Sequence, residues 1–167
     1  RQSLDGSYPS TPDEVENLAA ATGEEVSAKA RPYEGFSVDA SAPGSVSSGP
    51  VAADGSLVLK LYYSRNVHQV SWSTDGDPLQ GAYTSGPTMF GAPITAPGEP
   101  TKAGFSFAGW SPAPAASMPD SDVSYAATWT PAASTAYKVE HYRQSLDGSY
   151  PSTPDEVENL AAATGEE

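Results

Sequence analysis

The chain has 167 residues, a net charge of −13, no cysteine, and 16 prolines with 15 glycines. The acidity repels phosphate backbones, and with no Lys/Arg cluster to offset it, it argues against nucleic acid as a partner. The missing cysteine excludes a disulfide-stapled scaffold. No apolar run is long enough to span a bilayer, so no membrane insertion is expected of this stretch. The turn formers point to many short strands, and a hydrophobic fraction of 38% suits two small cores better than one large one.

The chain opens on Arg1–Glu25, a string that returns letter for letter at 143–167. It therefore holds one repeat unit of about 142 residues and the start of the next. Each copy sets one Arg against six carboxylates, in the first copy Asp5, Asp13, Glu14, Glu16, Glu24 and Glu25, so most of the net charge lies in the repeated string. Within it, Thr11-Pro12-Asp13-Glu14 places a capping Thr before Pro and Glu; Val15, Leu18 and Ala19 then share one helical face and Gly23 offers a stop. The pattern predicts a short helix at about 12–22, marginal unless its stripe packs on a sheet.

Further along, Tyr33-Glu-Gly-Phe36 has a counterpart in Lys102-Ala-Gly-Phe105, and Gly23-Glu-Glu-Val26 in Gly91-Ala-Pro-Ile94. Leu57–Tyr63 alternates, with Leu57, Leu59, Leu61 and Tyr63 on one face and Lys60 on the solvated one; Val123–Trp129 is its counterpart. Val67–Trp72 is an alternating strand running to Asp75-Gly76, just as Tyr137–Tyr142 runs to Asp147-Gly148, and both read as first arms of hairpins. The Pro- and Gly-rich stretch 77–88 reads as loop. The unit is thus two related modules.

Module A covers 1–66 and lacks its first strand here, module B covers 67–131, 132–136 is a linker, and 137–167 starts the next module A. Expected core residues are Trp72, Phe105, Phe107, Trp110 and Trp129 for module B, with Phe36, Leu57, Leu59 and Leu61 for module A. Tyr137, Val139 and His141 belong to a strand expected to dock on an incomplete module A, in the same chain or head to tail on a neighbour.

Chemistry-bearing residues are few. His68 and His141 are the only histidines, each in a strand, and no Gly-x-Ser-x-Gly elbow accompanies them, so neither catalysis nor a metal centre is expected. Asp75/Asp77 and Asp120/Asp122 have loop-like spacing that would suit calcium oxygens, but the EF-hand pattern is absent, and Asp before Gly is hairpin-turn chemistry. Lys29, Lys60, Lys102 and Lys138 include none on an apolar face, against an isopeptide cross-link.

Two resemblances rest on these residues. Gly91–Pro131, with Pro100-Thr-Lys-Ala-Gly-Phe-Ser-Phe-Ala-Gly-Trp110, Met118–Val123 and Ala127-Thr-Trp129, resembles the Listeria–Bacteroides repeat, known also as the B repeat of internalin-type proteins. Module A, with Tyr137–Tyr142, Tyr33–Phe36 and Ala53–Tyr63, resembles the mucin-binding-protein-like repeat. The resemblances imply a β-rich (α+β) chain of two small tandem β-grasp-like modules in a cell-wall-attached bacterial surface protein, and no enzyme or cofactor. The expected function is a stalk that projects a distal binding domain. The alternative is an adhesive repeat that binds a host glycan or matrix protein weakly, with avidity from the array. Clustering of Tyr8, Tyr62, Tyr83, Phe90 and Tyr150 outside the core would favour adhesion.

Overall fold

The computed structural model describes residues 1–165. It is β-rich, and no helix occurs among the described residues. Ten strands follow one another: β1 (Glu25–Ser27), β2 (Phe36–Val38), β3 (Ser48–Pro50), β4 (Tyr63–Arg65), β5 (Val67–Ser73), β6 (Gly86–Met89), β7 (Phe105–Ser111), β8 (Val123–Pro131), β9 (Thr135–His141) and β10 (Glu156–Ala162). The described chain forms two compact units. The first takes Arg1–Trp72, Tyr83–Ala96 and Pro114–Ser124, and the second takes Ser73–Ala82, Pro97–Ala113 and the described part of Tyr125–Glu167. Residues 67–131 contribute to both.

In the first unit, β1 pairs with β3, β2 with β4, and β5 with β6, all antiparallel. The tight turn Tyr33–Phe36 leads into β2: Phe36 N–H donates to Tyr33 C=O at 3.1 Å, and Gly35 takes φ +74°. A side chain at Gly35 would be doubly excluded, because a Cβ there would lie 2.1 Å from the Phe90 ring. The segment Leu57–Tyr63 alternates in burial as its sequence does, with Leu57, Leu59 and Leu61 half-buried and Val58 and Lys60 exposed. It is not a regular strand along its length. A single bridge joins Lys60 to Val46, and ladder pairing begins at Tyr63.

In the second unit, β7 pairs with β8 from Phe105↔Pro131 to Ser111↔Ala126, with a bulge between Phe107 and Gly109. The turn before β7 repeats the one before β2: Phe105 N–H donates to Lys102 C=O at 3.0 Å and Gly104 takes φ +78°. The weak internal repeat thus has a structural counterpart, a two-residue turn feeding a strand that pairs with a later strand. β9 and β10 form a second antiparallel pair, Thr135↔Ala162 to His141↔Glu156.

Full burial is reached at few side chains. Tyr125 and Met118 are 2% and 1% exposed, and Val70, Tyr63 and Ala42 are buried too, as are Pro97 and Pro100. Trp72, Phe105, Phe107, Trp110, Trp129, Phe36, Leu57, Leu59 and Leu61 are half-buried. They flank the core rather than fill its centre. On β8 the burial follows period two, Val123, Tyr125, Ala127 and Trp129 facing in, as a sheet with one dry face requires.

The helix expected at 12–22 is absent; residues 14–20 run as irregular, exposed backbone. Val15 and Leu18, the intended apolar stripe, stand 72% and 89% exposed. With nothing to pack on, three turns of helix do not repay their nucleation, and capping signals alone do not supply the difference.

Candidate functional site

Three clusters of polar and aromatic side chains are built well enough to be weighed as sites. The first surrounds Asp120 in the first unit. His68, on β5, puts Nε2 2.8 Å from Asp120 Oδ1 and Nδ1 3.5 Å from Asp122 Oδ1. Asn66 donates from Nδ2 to Asp120 Oδ1 at 2.7 Å, and Gly35 N–H donates to Asp120 Oδ2 at 3.0 Å. Gln69 N–H donates to Asp122 Oδ1 at 2.8 Å, and Ser37 Oγ–H to Asn66 Oδ1 at 2.7 Å. The Asn66 amide first, then His68, the Gly35 N–H and the His68 charge, hold the Asp120 carboxyl below its ordinary 3.8 against a smaller opposing effect of burial. Both carboxylates are spent on the start of β5 and the Gly35 turn. The arrangement is a clasp: a Ser, a His and an Asp occur in it, but Ser37 reaches Asn66, not the imidazole, so no nucleophile is activated.

The second cluster is aromatic and lies in the second unit. Phe107 meets Trp110 and Trp129 edge to face at 5.4 and 5.8 Å between ring centres. Lys102 Nζ lies 4.4 Å from the centre of Phe105 and 5.8 Å from that of Trp129, and pairs with Asp75 Oδ2 at 2.5 Å. That ammonium is the main reason the Asp75 carboxyl is held low. Trp129 Nε1 is buried without a hydrogen bond of ordinary geometry, yet near enough to Asp75 to add to the effect. A shallow depression beside it is lined by Ser73, Thr74, Asp75, Ala126, Ala127 and Trp129. Asp77 accepts from the Thr101 hydroxyl, so this acidic pair too is engaged internally. Trp72 belongs to the first unit, where its indole N–H donates to Thr84 C=O at 2.7 Å.

The third cluster ties the opening residues to β4. Gln2 N–H donates to Tyr63 C=O at 2.9 Å, while Arg65 donates from Nε to Gln2 C=O at 2.9 Å and from Nη1 to Phe90 C=O at 2.8 Å. Arg65 also lies over the Phe36 ring at 4.9 Å, and Phe36 meets Phe90 edge-on at 5.9 Å. Nearby, Tyr8 packs on Tyr62 at 4.9 Å and donates to Asp39 Oδ2 at 2.8 Å; burial, then the Asp39 hydrogen bond and charge, push its phenol up to about 12.

Of the five aromatics whose exposure would mark an adhesive patch, Tyr8, Tyr62, Tyr83 and Phe90 are half-buried and Tyr150 is exposed. The expected docking residues Tyr137, Val139 and His141 all lie on β9, opposite Leu160, Glu158 and Glu156. His141 Nε2 lies 3.1 Å from Glu158 on the exposed surface. The sequence singled out His68 and the Asp120/Asp122 pair separately but gave no signal that they meet in one clasp, whose partners stand up to 85 residues apart. No family model matches the chain, and the curated proteins and the solved structures gave no match either.

Proposed function

We propose that this chain is a structural repeat from the stalk of a bacterial surface adhesin, a pair of small β-rich, β-grasp-like modules that projects a distal binding domain from the cell wall and performs no catalysis. One observation carries the reading. The 25-residue string recurs without a single substitution, and its opening loop takes the same hydrogen bonds both times: Ser3 N–H to Ser7 C=O and Ser145 N–H to Ser149 C=O are both 2.8 Å, and Ser7 and Ser149 each bind the Asp two residues earlier. A unit copied this faithfully serves length or multivalency. Neighbouring identical repeats are its first partners, and the acidic surface keeps adjacent stalks apart.

The polar clusters support the spacer over the adhesive alternative, because their donors and acceptors are turned on the protein itself. The test is a screen of the full chain against host glycans and matrix proteins, beside a Trp129→Ser variant and a Tyr150→Ser variant. The spacer reading expects no saturable binding by any of the three. Saturable binding that either substitution abolishes would replace it with the adhesive reading.

A further inference from the structure

Residues 14–20 and 156–162 are both Glu-Val-Glu-Asn-Leu-Ala-Ala, yet the second copy is the strand β10 and the first is irregular. The loop ahead of each does not explain the difference. Gln2 Nε2–H donates to Gly6 C=O as Gln144 Nε2–H donates to Gly148 C=O, and Gly6 and Gly148 adopt φ of +84° and +85°. The Arg1 amino group reaches Asp13 at 2.5 Å as the Arg143 N–H reaches Asp155 at 2.7 Å. Up to the residue before the segment, the two copies make the same hydrogen bonds within the loop, and the first adds outward ones from Gln2 to Tyr63 and from Tyr8 to Asp39. What differs is what lies alongside: β10 runs against β9, and residues 14–20 have no strand beside them.

The burial of the same side chains measures the consequence. Val157 and Leu160 are 45% and 39% exposed, against 72% and 89% for Val15 and Leu18. In place of a ladder, the carboxylates of Glu14 and Glu16 hold the exposed guanidinium of Arg31, surface contacts that are weak and easily exchanged. The same hairpin occurs once more, where β5 runs through the Asp75-Gly76 loop and β6 returns on it with Val67 opposite Met89. A strand before the loop that pairs with the returning one is thus common to 67–89 and 135–162, and residues 14–20 show no such pairing in the described structure.

We propose that residues 14–20 are a vacant strand position, and that its occupant is a second copy of the 135–141 strand, seated in the register β9 adopts on β10, with Tyr137 opposite Leu18, Val139 opposite Glu16 and His141 opposite Glu14. Main-chain hydrogen bonds supply the affinity, and the Tyr137 and Val139 side chains fix the register. A copy joined directly ahead of Arg1 reproduces the connection seen at Arg143, and the tether makes its local concentration high. A free strand offers the same contacts without that advantage. The occupied segment changes from irregular backbone to strand without any change in its own sequence.

The experiment uses the full chain extended by a second copy of residues 132–142 ahead of Arg1, with amide hydrogen exchange read by NMR at residues 14–20 and 156–162. Amides of 14–20 whose counterparts in 156–162 are protected should slow by about tenfold or more in the extended chain. A second extended chain carries Lys138→Pro and Val139→Pro in the added copy only; adjacent N–H groups point to opposite edges of a strand, so one of the two removes a ladder donor and should return 14–20 to fast exchange. Fast exchange at 14–20 in the first extended chain, or equal protection with the proline copy, overturns the proposal. So does fast exchange at 156–162 in the parent chain, since the template pairing would then be absent.

Discussion

Gly35 shows how much one position can be asked to do. It reverses the chain at φ +74°, donates its N–H to Asp120, and leaves room for the Phe90 ring. Gly35→Ala should destabilise the first unit by about 1–3 kcal/mol from the backbone alone, with the Phe90 overlap added to it. Chemical denaturation followed by tryptophan fluorescence in a chain carrying Trp110→Phe and Trp129→Phe, with and without Gly35→Ala, measures it through Trp72. Asp120 makes a pH prediction of definite sign. Its carboxyl is held below 3.8 in the folded chain, so the stability it adds is complete above 3.8 and is lost as the pH falls through the lowered folded value. Asp120→Asn keeps the shape and removes the charge. Thermal melts should show it less stable than the parent at neutral pH, with the gap closing well below pH 3.8.

At the scale of elements, the strands legible in the sequence are those whose alternation agrees with their pairing. Val67–Trp72, Val123–Trp129 and Tyr137–Tyr142 read as strands and form β5, β8 and β9 within a residue or two. The turns at Tyr33–Phe36 and Lys102–Phe105 were legible as a repeat because Gly in the second loop position is demanded by backbone sterics. Residues 14–20 and 156–162 were not legible. Their sequence satisfies a helical stripe and capping pattern, while the strand conformation of the second copy depends on a partner that local pattern does not encode. Burial was misjudged for a similar reason: the large aromatics were expected at the centre, whereas Met118 and Tyr125, each inconspicuous in a short motif, are the fully buried side chains. Met118→Ala should therefore cost about 2–5 kcal/mol, while exposed Val58→Ala should stay within about 0.5 kcal/mol. The repeated leucine offers an internal control. Leu160→Ala should cost about 0.2–1 kcal/mol through loss of its cross-strand pair with Tyr137, and Leu18→Ala, with no such pair, nothing measurable.

At the scale of the whole chain, a repeated string folds according to its neighbours. The loop Arg1–Asp13 keeps the same internal hydrogen bonds in both copies although its outside contacts differ, and the seven residues after it are conditional. For the stalk proposed above this division would be useful: a loop with the same internal bonds in each copy would set the spacing, and a strand that needs a preceding strand would make each unit's order depend on the array. The measurement that tests this most directly is amide hydrogen exchange of the unmodified chain at neutral pH, comparing each residue of 14–20 with its identical partner in 156–162. The account predicts protected amides along 156–162 and exchange near the unstructured rate along 14–20. Equal exchange in the two segments would contradict it, because identical sequences would then be behaving as if their neighbours did not matter.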